Sequence, residues 1–134
     1  MLFRSHHPTE VRATLETAKT SWDSRLISIF QPHLFSRTKE FYKEFAQSLT
    51  LSDVVIVTDI YPAREKPISG VTGKLVYDEL ITLGHKNTFY EPKLDNLPEL
   101  VNKISKNNDM VMTLGAGTIW RYGEKIINRL KSNK

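Results

Sequence analysis

The chain has 134 residues, 40% apolar and 25% charged, which is one domain's worth of material and enough to bury a hydrophobic core. It has no cysteine, which excludes disulfides, thiol catalysis and cysteine-ligated zinc and fits a cytoplasmic protein. The net charge of +4 is spread along the sequence. Its densest group (Lys125, Arg129, Lys131, Lys134) falls at a helix end, where cations complement the helix dipole, and no short nucleic-acid motif accompanies it.

No apolar run approaches the ~20 residues of a membrane helix, and Met1–Ser5 lacks the apolar stretch and cleavage site of a signal peptide. Helical and strand patterns then alternate. Pro8 suits a first helical turn, after which Val11, Leu15, Ala18 and Trp22 fall on one face. Leu26 to Phe30 is a short apolar run, stopped by Gln31-Pro32. Ser36 is a candidate N-cap for a second helix with Phe41, Phe45 and Leu49 inside. Val54 to Val57 is a β-branched run of the kind buried on both faces in parallel sheets. A loop from Tyr61 to Gly73 leads to a third helix, with Thr72 as a cap, Leu75, Val76 and Leu80 inside and Gly84 at its end. Thr88 to Tyr90 reads as a short strand. Asp95 or Asn96 starts a fourth helix with Leu100, Val101 and Ile104. Met110 to Leu114 is another strand, and the last helix carries Ile119, Tyr122, Ile126, Ile127 and Leu130.

This alternation predicts an α/β domain, Rossmann-like and three-layered, with a mostly parallel sheet over residues 1–134. Ligands of such sheets bind beyond the C-terminal strand ends. That rule selects the loop holding His33, the loop starting at Asp59, and the loop holding Gly115 and Gly117.

Two patterns mislead. Gly70-Val71-Thr72-Gly73-Lys74 has two residues between its glycines where a phosphate loop needs four, and Leu75 follows the lysine. Gly115-Ala116-Gly117 follows a strand and opens a helix, but Trp120 stands where a dinucleotide fingerprint needs its third glycine. The pair is either a plain tight turn or a loop that faces a ligand. His6, His7, His33 and Arg37 are the groups with binding chemistry. Imidazole and guanidinium together suit a carboxylate-bearing ligand. Each also has a structural reading: the histidines as caps, Arg37 as an ion-pair partner of Glu40 or Glu44. His6-His7 has no carboxylate at a useful spacing and does not predict a metal site.

Four strings resemble the Mur ligase family. His6-His7-Pro8-Thr9-Glu10 is similar to the H-H-P-T-E that follows D-Y-G in its L-alanine-adding branch. Phe30-Gln31-Pro32-His33-Leu34-Phe35-Ser36-Arg37-Thr38 resembles F-Q-P-H-x-[YF]-[ST]-R-T. Asp59-Ile60-Tyr61-Pro62-Ala63-Arg64-Glu65 resembles D-I-Y-x-A-x-E, and Leu114-Gly115-Ala116-Gly117 resembles a late G-A-G turn. The recycling branch for murein peptides usually has F-E-P-R where this chain has Phe30-Gln31-Pro32-His33.

The resemblance implies the C-terminal domain of a ligase that joins the carboxyl of UDP-N-acetylmuramate to the amine of L-alanine in peptidoglycan synthesis. ATP, with Mg2+, activates that carboxyl as an acyl phosphate. It implies His6, His33 and Arg37 on the L-alanine side, with Arg37 gripping the carboxylate, and His7, Gly115 and Gly117 facing the nucleotide. It places no catalytic residue and no Mg2+ ligand in this chain. The P-loop domain and the UDP-binding domain lie elsewhere, so the chain alone is expected to be inactive. Some relatives carry Arg where this chain has Leu34.

Two departures accompany the resemblance. The family's acidic residue falls at Phe3, and its Tyr-Gly falls at Arg4-Ser5, so Met1 to Ser5 reads as unrelated to the family and as at most a stub of its first strand. In a doubly wound sheet that strand is central. Its loss is therefore expected to open two inner edges, between a half with Leu26 and Val54 and a half with Thr88 and Met110, and to favour self-association. The alternative function is a stand-alone α/β small-molecule-binding module that kept these strings without catalysis. An upstream reading frame for a P-loop domain distinguishes the two.

Overall fold

The computed structural model describes residues 2–3, 7–115 and 117–132. In chain order the elements are β1 (Leu2–Phe3), α1 (Pro8–Ser21), β2 (Leu26–Phe30), α2 (Phe35–Leu49), β3 (Val54–Val57), α3 (Lys74–Thr82), β4 (Thr88–Tyr90), a 3-10 turn (Leu94–Asn96), α4 (Leu97–Ile104), β5 (Met110–Leu114) and α5 (Ile119–Lys131). All strand pairs are parallel, in the order β1-β5-β2-β3-β4. The expected α/β architecture is thus present.

The position expected for the first strand is corrected. Leu2–Phe3 is a stub, but it lies at the sheet edge, pairing Leu2 with Thr113 and Phe3 with Leu114. β2 and β5 pair directly along their full length, Leu26 with Met110 through Phe30 with Leu114. No inner edge is opened, so the physical basis for expecting self-association from a broken sheet centre is gone.

Alternation along the strands divides the core into two layers. Leu26, Phe30, Val55, Val57, Met112 and Leu114 pack beneath α1, α2 and α3, while Ile27, Ile29, Val54 and Ile56 pack beneath α4 and α5. The helical stripes mostly follow the expected spacing, with two exceptions. Trp22 follows the last turn of α1 and is 41% exposed, and Ile127 on α5 is 48% exposed. Among the described residues no helix is long and apolar enough to cross a membrane.

The N-terminal edge of the sheet is pinned by charge. Arg25 donates to both carboxylate oxygens of Asp109, at 3.1 and 2.8 Å, and to the Ile104 carbonyl at 2.9 Å. Asp53 accepts from the Leu26 amide and from Lys19. Burial by itself pushes both carboxyls up. It is outweighed at Asp109 by the Arg25 and Lys106 hydrogen bonds, and at Asp53 by those of Leu26 and Lys19, so both are held below the usual carboxylate range. A depressed native carboxyl stabilises the fold above its unfolded value, about 3.9 for Asp, and that stability is lost as pH falls through the native value. Asp109→Asn should therefore lower the Tm at pH 7, by the loss of about 1.5–3 kcal/mol of charge-assisted hydrogen bonding. The difference from the unchanged protein should shrink below about pH 4. Thermal melts of both proteins from pH 7 to pH 2 check this; a gap that stays constant through pH 3 would show that the carboxylate contributes no charge-dependent stability.

Candidate functional site at the C-terminal edge of the sheet

The strand registers place Phe3, Leu114, Phe30, Val57 and Tyr90 in one row across the sheet. Every loop selected by the C-terminal-edge rule leaves from this row. The Gln31 amide donates to the Leu114 carbonyl at 2.9 Å, and the Thr58 amide donates to the Phe30 carbonyl at 2.9 Å, so the three central exits are tied together at their roots.

Beyond that point the first two loops run side by side. Tyr61 N–H donates to the Pro32 carbonyl at 2.8 Å, and Leu34 N–H donates to the Tyr61 carbonyl at 2.9 Å. This short parallel bridge pairs His33 with Tyr61 and stacks their rings with centroids 5.9 Å apart and planes 19° apart. His33 is half-buried. The third loop closes against the same tyrosine: a side chain on Gly117 would run into the Tyr61 ring. Gly115, at φ +150°, lies so close to the Gln31 carbonyl that an added Cβ would stand 2.9 Å from it. Glycine is required at both positions by close approach of the neighbouring loop.

Buried Gln31 links β2 to the start of α5. Its side-chain oxygen accepts from the Ile119 amide at 3.0 Å, and its side-chain nitrogen donates to the Thr118 hydroxyl at 3.2 Å. Asp59, exposed at the end of β3, accepts from the Ile60 and Gly73 amides at 2.9 and 3.3 Å and so joins the second loop to the start of α3. Burial, followed by the charge of Asp59, pushes the Tyr90 hydroxyl above its ordinary range.

Arg37 lies half-buried in the first turn of α2, four residues after His33. Phe41, one turn further along the same stripe, carries the ring of His7 at 5.4 Å. His7 precedes α1, and the α1 start is held against α2 by a hydrogen bond from the Ser48 hydroxyl to the Pro8 carbonyl. His33, Arg37, Asp59, Gly115 and Gly117 are thus on one sheet edge, while exposed His7 packs against Phe41 on the flank of α2. His6 lies outside the described residues. Among those residues no group of three or more His, Asp or Glu side chains is placed to hold a metal ion.

Three contributors had no role assigned from sequence: Gln31, Tyr61 and Glu65, whose carboxylate accepts the Ser36 amide of α2 at 2.8 Å. All three stood inside the family strings, so the signal was positional, whereas their roles depend on contacts between loops. The N-cap of α2 is also corrected. The helix starts at Phe35, with Leu34 rather than Ser36 at the cap.

The family model for the Mur ligase glutamate ligase domain matches residues 4–117. Its match includes Arg4 and Ser5, which were expected to be foreign to the family. A UDP-N-acetylmuramate–L-alanine ligase of Cutibacterium acnes is 49% identical over 129 residues, covering 95% of this chain and 27% of that protein. The enzyme of the same name from Geotalea uraniireducens is 45% identical over 128 residues, covering 96% of this chain and 28% of its own length. The crystal structure of a UDP-N-acetylmuramate-alanine ligase from Thermotoga maritima superposes with a TM-score of 0.73 at 32% identity, over 98% of this chain and 26% of that one. The chain therefore spans little more than a quarter of the length of the relatives it matches.

Proposed function

The chain belongs to the family of Mur ligase glutamate ligase domains, and from that premise we propose that it is the amino-acid-presenting domain of an ATP-dependent UDP-N-acetylmuramate–L-alanine ligase. The observation that carries the proposal is the convergence of three strand exits on the His33–Tyr61 pair, with Arg37 in the first turn of the next helix. A planar guanidinium beside an imidazole suits a small zwitterion, whose carboxylate takes the paired hydrogen bonds of the guanidinium. In this reading the zwitterion is L-alanine, which the names of the 45–49% identical relatives support.

In this reading Arg37 binds the L-alanine carboxylate, and His33 and His6 border the amine side. The loop of Gly115 and Gly117 faces ATP, and His7 is assigned to the nucleotide side by the family resemblance. ATP, with Mg2+, would convert the carboxyl of UDP-N-acetylmuramate to an acyl phosphate, from which the amine would displace inorganic phosphate as the amide forms. The main ligands of ATP and Mg2+ lie in other parts of a full-length ligase, acting in the cytoplasm on the carboxyl of UDP-N-acetylmuramate. This chain's own residues bind the amino acid, orient its amine and exclude water from the closed site.

Replacing the matching domain of the Cutibacterium acnes ligase with this chain should give an enzyme that forms UDP-N-acetylmuramoyl-L-alanine only when ATP is present. The 134-residue chain alone should form none, because phosphoryl transfer needs positioned phosphates and metal. A folded chimera that ignores L-alanine, or product formed by the chain alone, overturns the proposal. The first of these would favour the stand-alone binding module without catalysis.

A further inference from the structure

Helix α2 starts without a polar cap of its own. Its N-cap residue is Leu34, held at φ +70°, which is costly for a branched side chain, and its first turn has no acidic residue. The cap comes from a distant part of the chain. One Glu65 carboxylate oxygen accepts the Ser36 amide at 2.8 Å, and the other accepts the Ser36 hydroxyl at 2.5 Å. Glu65 reaches back because residues 62–65 form a tight turn: its amide donates to the Pro62 carbonyl at 2.9 Å, and Ala63 sits at φ +54°. The same loop carries Tyr61, whose backbone pairs with Pro32 and Leu34 on either side of His33. His33 and Arg37 thus flank a helix start whose geometry is imposed by the loop opposite.

We propose that Glu65 is a positioning residue for the amino-acid side of the site, capping α2 from the Tyr61 loop and so fixing the placement of His33 and Arg37. The proposal rests on the reading of that side given above. A carboxylate is the favoured occupant of a helix N-terminus, and here the protein supplies it. The Ser36 and Phe35 amides at the start of α2 are consequently engaged, and a substrate carboxylate is directed to the Arg37 side chain instead of to those amides. The chemistry of Glu65 agrees: the Ser36 hydroxyl, the Ser36 amide, the Phe35 amide and the nearby charge of His33 hold its carboxyl below its ordinary value.

The test has one arm on the chain itself and one on a full-length ligase carrying this domain. In amide NMR spectra of the 134-residue chain, the Ser36 resonance should follow a carboxyl titration centred below the ordinary Glu value of about 4.3, and Glu65→Gln should abolish it. In the ligase, Glu65→Ala should raise the KM for L-alanine roughly 3- to 30-fold, the range expected for loss of a helix cap, while kcat at saturating L-alanine and the KM for ATP change little. Glu65→Gln, which keeps one acceptor oxygen, should recover part of the loss.

A purely structural role would instead lower the active fraction and leave the KM for L-alanine unchanged. A Ser36 amide that ignores Glu65 overturns the proposal. So does an unchanged KM for L-alanine in the Glu65 variants, provided that Arg37→Ala raises it; in that case the functional reading survives. If neither substitution changes that constant, the functional reading falls and takes this proposal with it.

Discussion

Replacing Arg37 with alanine in a full-length ligase carrying this domain should raise the KM for L-alanine roughly 10- to 150-fold, because a hydrogen bond to a charged group is worth about 1.5–3 kcal/mol. The KM for ATP should change far less. Arg37 stands half-buried in the first turn of α2, four residues after His33. Its backbone position there is set by packing that the substitution leaves intact: Thr38, immediately after it, is buried and bonds the Leu34 carbonyl with both its amide and its hydroxyl. The fold should survive, and the loss should register as substrate affinity. Arg37→Lys should recover only part of it, since an ammonium keeps the charge without the planar pair of donors. Initial-rate measurements with each substrate varied in turn separate the outcomes. A raised ATP constant with an unchanged alanine constant would place Arg37 on the wrong substrate.

Local patterns carried most of the element order, and non-local pairing decided what they left out. Leu26–Phe30, Thr88–Tyr90 and Met110–Leu114 were readable as strands because strand runs and turn residues are local signals. Strand order was not readable. β2, β3 and β5 are all strongly apolar, so nothing in their composition says which pair is adjacent, and the first strand was placed at the centre when its partner is the outer side of β5. Caps failed for a related reason. Ser36 has the right chemistry for an N-cap, yet it serves as a donor to Glu65, 29 residues away. Thr72 was read as the cap of α3, but Gly73 holds the N-cap position, and the Thr72 hydroxyl only accepts the Lys74 amide, at 3.2 Å, from one residue before it. Gly84, at φ +87°, ends α3 as read, because a positive φ after a helix is a demand a single residue can meet. The site divided in the same way. His33 and the two glycines were selected by the strand-end rule and Arg37 by its side-chain chemistry, while Tyr61 and Gln31 owe their positions to contacts across loops.

The row of residues that ends the strands is also where the largest loss of stability is expected. Phe30→Ala should destabilise the chain by about 3–5 kcal/mol, the usual cost of removing a buried aromatic ring. The ring is fully buried and meets Phe45 of α2 at 4.9 Å between centroids, so β2 is joined through it to the helix that carries Arg37. Around it lie Val57 and Leu114, its register partners on either side, and the α1 residues Val11 and Leu15 in the same core layer. Several elements would have to move together to fill the space, so a cavity term should add to the lost transfer energy. Phe30→Leu keeps much of the volume and should cost less than about 1.5 kcal/mol. Position matters as much as size here. The Phe30 carbonyl accepts the Thr58 amide, and the next residue, Gln31, bonds Leu114 and the start of α5. Relaxation around an emptied site should therefore reach the His33 loop, and the alanine variant should show shifted amide resonances at His33 and Tyr61 at temperatures where it is still folded. Urea unfolding of the two variants and the unchanged chain measures the energies. An alanine variant within 1 kcal/mol of the original would contradict the ring's burial between sheet and helices, and a large loss without any change at His33 would show that the strand ends and the loops above them are mechanically independent.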